Sequence, residues 1–118
     1  MSPEAEALSR QLLAAAERAY RNSEAHGFWG EGTKTTLGYA AKIALMHSEL
    51  SELLEALRKD PAARCKKVPE LTVEEEEVAD LFIRLLDYCH ARGIDLGRAA
   101  HLKHEFNLTR PHMHGKAV

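Results

Sequence analysis

The chain has little of what builds a sheet, a disulfide framework or a membrane span. In 118 residues it carries two cysteines, Cys65 and Cys89. That is too few for a disulfide scaffold, so a reduced, cytoplasmic setting is expected. β-Branched residues are scarce, and no stretch alternates apolar with polar over the length of a strand, which excludes a sheet-based fold. The LLAAA run near the N-terminus is flanked by Glu and Arg and is too short for a secretory core or a membrane span. Sixteen basic residues stand against 18 acidic ones, a net charge of −2. Such a balance gives no global attraction to a nucleic-acid polymer or an anionic membrane, and phosphate binding must then be local. A Gly-rich phosphate loop, a nucleophile elbow and a DNA-recognition signature are all missing.

What is present reads as helix. An apolar fraction of 45% argues for a folded chain, most simply one domain over 1–118. Ser2 and Pro3 open a first helix to about Ser23, since proline at the first helical position loses no hydrogen bond. After the glycine-rich break HGFWGEGTKTT, a second helix is expected from about Thr36 to Lys59. It stops at Asp60-Pro61 because a residue before proline is pushed out of the α region. PAARCKKVPEL reads as a connector. Thr72 and Glu75 have capping-box spacing before a third helix, about Val73 to Arg92, ended by Gly93. Asp95 caps a fourth helix to about Leu108, and a polar tail follows from about 109. The expected fold class is all-α, a small bundle of four main helices.

The informative residues are Glu49, Glu52, Glu77 and Asp80. They form two i,i+3 pairs, and each pair can aim two carboxylates at one spot. At about 100° per residue, apolar side chains cover most of the third helix and leave one polar stripe of Glu77, Asp80, Arg84 and Asp87. A helix so patterned is expected to be central and buried, with its stripe facing an internal site. On the second helix Ile43, Met46, Leu50, Leu53 and Leu57 share a face bordered by Glu49 and Glu52, with Lys42 on the same flank as Glu49. Packing the two helices brings the four carboxylates together. Such a cluster repels itself unless a cation compensates it, and oxygen donors suit a hard divalent ion such as Mg²⁺. Hard cations held by carboxylates point to phosphate chemistry. Glu74, Glu75 and Glu76, by contrast, fit a solvated first helical turn.

These residues resemble the MazG-like all-α nucleoside triphosphate pyrophosphohydrolases, a superfamily that includes dimeric dUTPases and dCTPases. Its signature is E-x-x-E on one helix and E-x-x-D on the next, here Glu49-Leu-Ser-Glu52 and Glu77-Val-Ala-Asp80. The likeness runs from GFWGEG through KIALMHSELSELLEALRKD and EEVADLFIRLLDY to EFNLTRPHMHGK. Ser48 departs from an extra Glu that many members carry, and Phe106 from a Tyr before Asn107. The resemblance implies Mg²⁺, or Mn²⁺ in its place, held by Glu49, Glu52, Glu77 and Asp80. It implies hydrolysis of a nucleoside triphosphate to monophosphate and pyrophosphate, with nucleotide-pool cleaning as the role. It also implies a homodimer or dimer of dimers that completes the bundle. Glu49 or Glu52 would accept the proton of the attacking water.

Further substrate contacts are expected from Lys42 and from Lys103, Asn107, Arg110 and Lys116, the last four in a stretch resembling the family's Asn-x-x-Arg-Pro and His-Gly-Lys tail. A solvated basic tail is the alternative. Trp29, beside Phe28 in the glycine-flanked loop, is a candidate for stacking on the base, or else a hydrophobic plug. Asp87 is expected to pair with Arg84. The pairs His101/His104 and His112/His114 lack cysteine partners and read as surface histidines rather than zinc ligands. Two other functions fit the same helices. One is a non-catalytic nucleotide-binding or regulatory module. The other is a carboxylate-bridged di-iron protein, which would normally need Glu-x-x-His pairs.

Overall fold

The caps written into the sequence set the helix ends in the structure, a computed structural model that describes residues 1–116, His114 by its backbone alone. The end of the expected polar tail, 117–118, and the His114 side chain lie outside that description. Helix α1 spans Pro3–Ala25, with Ser2 accepting from the Ala5 N–H. Helix α2 spans Thr36–Lys59, with Thr35 accepting from the Gly38 N–H and the extended Asp60 closing it before Pro61. Helix α3, Val73–Arg92, opens on the Thr72/Glu75 capping box and closes on Gly93 at φ +67°. Helix α4, Leu96–Asn107, is capped by Asp95. Within the tail, His112–Gly115 forms a short 3₁₀ turn. The four helices agree with the expected all-α class. Among the described residues no helix is long and apolar enough to cross a membrane.

Helix α3 packs against α1 on one side and α2 on the other, and α4 packs on α1. Small residues make the α1–α4 approach close. Ala5, Ser9 and Ala16 are buried on α1, and a Cβ on the buried Gly97 of α4 would stand 2.6 Å from the Ser9 Cα. Ser9 also donates to both carboxylate oxygens of Asp95, at 2.8 and 2.7 Å. One aspartate thereby caps α4 and fastens it to α1. Hydrogen bonds from the Arg98 N–H and then from Ser9 hold the Asp95 carboxyl below the usual range.

Two expectations about faces are corrected. On α2 the buried residue is Glu49, while Ile43, Leu50, Leu54 and Leu57 are exposed. Helix α3 meets α2 along a stripe where Lys42, Leu45, Met46, Leu53 and Ala56 are half-buried around Glu49. On α3 only Leu86 and Cys89 are buried, and Val78, Phe82 and Ile83 stand 49%, 45% and 49% exposed. The physical reason is shared: four helices have no element left to cover the outer side of the α2–α3 pair. The radius of gyration, 16.7 Å, exceeds the roughly 13–14 Å of a compact domain this long.

Because the α1–α4 contact has no room for a side chain, Gly97→Ala should destabilise the fold by about 2 kcal/mol, several degrees of thermal midpoint. Thermal unfolding followed by circular dichroism checks this, and an unchanged midpoint would show that α4 does not sit so closely on α1.

Candidate metal centre

Stacking α2 on α3 brings Glu49, Glu52 and Glu77 to one place, with one carboxylate oxygen from each within 4.8 Å of the others. Helical spacing supplies Glu49 and Glu52 from adjacent turns of α2, and the crossing supplies Glu77 from the first half of α3. Glu49 is 6% exposed. Its Oε1 accepts from the Arg84 Nε at 2.8 Å, while its Oε2 is buried with no hydrogen-bond partner, as is the Oε2 of Glu77. A buried polar atom left unsatisfied costs about 1–3 kcal/mol, more when charged. Two buried, unpartnered oxygens on members of a group of three acids are what a bound cation would satisfy. The all-oxygen donor set fits a hard divalent ion rather than a thiophilic one.

Asp80, the fourth expected ligand, is not part of the three-carboxylate group. It lies one turn beyond Glu77 and lines the neighbouring cavity wall. Burial raises its carboxyl above the usual range, with Glu49 and Glu76 adding to the shift. Glu77 is pushed up to about 7, first by desolvation, then by its hydrogen bond to Glu52 and the charges of Glu52, Asp80 and Glu76. Among the described residues no histidine or cysteine joins these acids, so the zinc and Glu-x-x-His di-iron arrangements are not formed here.

A cavity of about 500 Å³ opens beside the acids, within the range of small-molecule sites. Its lining includes Glu49, Glu52, Asp80, Arg84 and Lys67, together with Asn22 and Ser23 from the end of α1 and His26 and Phe28 just beyond it. Glu52 also borders a second, adjoining cavity together with Glu77. Asn22, Ser23 and His26 belong to a helix end that carries no motif, and Lys67 lies in a segment read only as connector. None of these four could be placed at the site from spacing.

Comparison with family models, with curated proteins and with solved structures gives no match.

The remaining expected contacts separate. Trp29 is buried, its indole N–H donating to Asp87 at 2.7 Å and its ring packed near Tyr20 and Tyr39. It is the plug of its loop, and Phe28, 48% exposed, is the aromatic at the cavity. Asp87 therefore pairs with Trp29, whereas Arg84 pairs with Glu49. Lys42 donates to the Phe28 carbonyl and lies 4.5 Å from the Trp29 ring centre. Burial lowers its pKa, Asp87 opposing the shift, and its place is under the loop. Lys103, Asn107, Arg110 and Lys116 do not line the cavity. Lys103 and Arg110 lie over the Phe106 ring, at 4.7 and 5.9 Å, on the helix that packs on α1. The Oδ1 of Asn107 is buried and unpartnered. Glu76, expected in solvent, instead accepts from the Cys65 thiol at 2.9 Å.

A folded carboxyl near 7, against an ordinary 4.5, makes the native state bind more protons than the unfolded one between those values. Stability without cation should therefore fall as pH rises from about 4.5 through 7. Divalent cation added at pH 6.5 should release protons from Glu77. Calorimetry in two buffers of different ionisation enthalpy measures the release, and Glu77→Gln should abolish it. Equal heats in both buffers would contradict the coupling.

Proposed function

We propose that the chain is a Mg²⁺-dependent nucleoside triphosphate pyrophosphohydrolase of the MazG-like kind, converting (d)NTP and water to (d)NMP and pyrophosphate. The observation that carries the reading is the convergence of Glu49, Glu52 and Glu77 from two helices, with buried unpartnered oxygens, beside a cavity of nucleotide scale. The sequence pattern that resembles the family supports it from a separate direction, because three of the four acids of its two pairs are the residues that the helix crossing juxtaposes.

When bound, the metal neutralises phosphate charge and makes a water more acidic. The protein's part is to hold and orient. Glu49, Glu52 and Glu77 would hold the ion, and Arg84 fixes the Glu49 carboxylate through Oε1, leaving Oε2 without a partner. Glu52 is exposed and faces both cavities, so it is the carboxylate best placed to take a proton from water. Asp80 adds an acid to the cavity lining, where it would contribute to attracting the cation.

A non-catalytic nucleotide-binding module draws support from the Arg84–Glu49 ion pair, which offsets part of the acidic charge without any metal. Pyrophosphate and monophosphate assayed over a panel of nucleoside triphosphates, with and without Mg²⁺, separate the two. Under our reading both products appear only with Mg²⁺, and Glu49→Gln lowers turnover by about 100-fold or more. Orthophosphate as the released product would overturn the pyrophosphohydrolase assignment.

The same reading includes a second copy of the chain. Leu50, Leu53, Leu54, Leu57 and Val78 line an apolar groove, continued by Leu71, Ala79 and Phe82. An exposed apolar surface of this kind marks an interaction face. Leu54→Asp should shift the mass read by light scattering toward that of one chain, and a wild-type chain that is already monomeric at high concentration would refute this part.

A further inference from the structure

We propose that Lys67 is the cation that meets the substrate's polyphosphate, and that the Cys65–Glu76 contact sets where it stands; this rests on the triphosphate reading above. A nucleoside triphosphate brings several negative charges to a site already crowded with carboxylates. One divalent ion cannot offset both, so side-chain cations are needed on the phosphate path. The basic groups of α4 and the tail do not line the cavity. Lys42 is engaged under the loop, and Arg84 is held by Glu49. Lys67 lines the same cavity as Glu49, Glu52 and Asp80.

Its surroundings suit a mobile charge on a fixed base. The Lys67 side chain is 86% exposed, and its Nζ is 4.0 Å from the Glu76 Oε1, the outer limit of an ion pair. The backbone that carries it is not slack. The Cys65 N–H bonds to the Leu71 carbonyl and the Leu71 N–H to the Val68 carbonyl, both at 2.9 Å; the Val73 N–H reaches the Ala63 carbonyl at 2.8 Å. Cys65 is buried. Its thiol donates to the Glu76 Oε2 at 2.9 Å and accepts the Val68 N–H at 3.3 Å. One oxygen of Glu76 thus anchors the connector and the other receives Lys67 two residues on. A single carboxylate at that distance is a weak hold, which a metal-bound polyphosphate in the cavity outcompetes by charge. Cys65 is a positioning residue in this account, acting through the backbone of the connector.

The test uses the full chain with Mg²⁺ and tripolyphosphate as a probe for calorimetric binding, beside steady-state kinetics on nucleoside triphosphates. Lys67→Met should weaken tripolyphosphate binding and raise KM by about tenfold with little change in kcat, while Lys67→Arg keeps most of the wild-type value. Cys65→Ala should weaken binding by a smaller factor and add nothing in the Lys67→Met background. Unchanged binding and KM in Lys67→Met, or an equal loss in Lys67→Arg, would overturn the proposal while leaving the enzyme reading intact. Lys67-dependent probe binding by a chain that hydrolyses no triphosphate would support the phosphate site and remove the enzyme reading. A wild-type chain that binds no tripolyphosphate and hydrolyses no triphosphate would end both.

Discussion

Like charge held at close range along the α2–α3 seam is the constraint around which the rest of the molecule is arranged. Three carboxylates share a space 4.8 Å across, and Asp80 adds a fourth acid on the cavity wall. In water such a group would disperse; here helix packing forbids it. The cost shows in the raised carboxyls of Glu77 and Asp80 and in oxygens without partners. Arg84 relieves one of the acids directly. Because Arg84 sits on α3, the ion pair that orients Glu49 also ties the two helices on which the cluster depends. Removing Arg84 would leave the buried Glu49 carboxylate without its opposite charge, a larger loss than the pair's own attraction.

The opposite wall of the cavity is held by a different device. The loop after α1 folds inward on Trp29, whose indole donates to Asp87 of α3. Lys42 of α2 then reaches the Phe28 carbonyl from the other side. Tyr20, in contact range of both Trp29 and His90, closes the same knot from α1. Three helices are thus fastened through one loop. The result fixes Phe28 at the cavity edge, half exposed, with the Lys42 ammonium 5.4 Å from its ring centre. A lining that combines polar and aromatic groups with carboxylates is, on the proposed reading, one that a nucleotide could bridge, its charged and its flat ends in different surroundings.

Helix boundaries were legible in the sequence because capping is local chemistry. Thr72 with Glu75, Asp95, Pro61 and Gly93 act within a turn of where they stand, and the structure ends its helices there. The acidic quartet was legible in its spacing, three of the four acids meeting as the pattern implied. Partners across the fold were not. Asp87 and Arg84 share a stripe on α3, yet each pairs with a residue from another segment, Trp29 and Glu49, and no periodicity encodes that choice. Lys67 and the end of α1 reach the cavity through the path of the connector and the crossing of helices, neither of which leaves a mark in composition. Trp29 was ambiguous for a plainer reason: a loop tryptophan beside a loop phenylalanine gives no sign of which one turns inward.

The inverted faces of α2 follow from the same arithmetic. Fully burying a leucine yields about 1.5–3 kcal/mol, so a helix with Leu50, Leu54 and Leu57 should turn them inward if α3 were its sole destination. Instead it turns Glu49 inward and leaves those leucines half in water. A single chain that does this forgoes favourable burial and accepts desolvated acids as well, a combination that the Arg84–Glu49 ion pair offsets in part. Under the proposed function each side of α2 would have an occupant: a cation on the acidic side and the apolar surface of a second copy on the leucine side. Those two occupants act on one rigid helix, so covering the leucines would steady the very turns from which Glu49 and Glu52 project. Assembly and metal binding are therefore expected to be linked through α2, since each fixes the element on which the other depends.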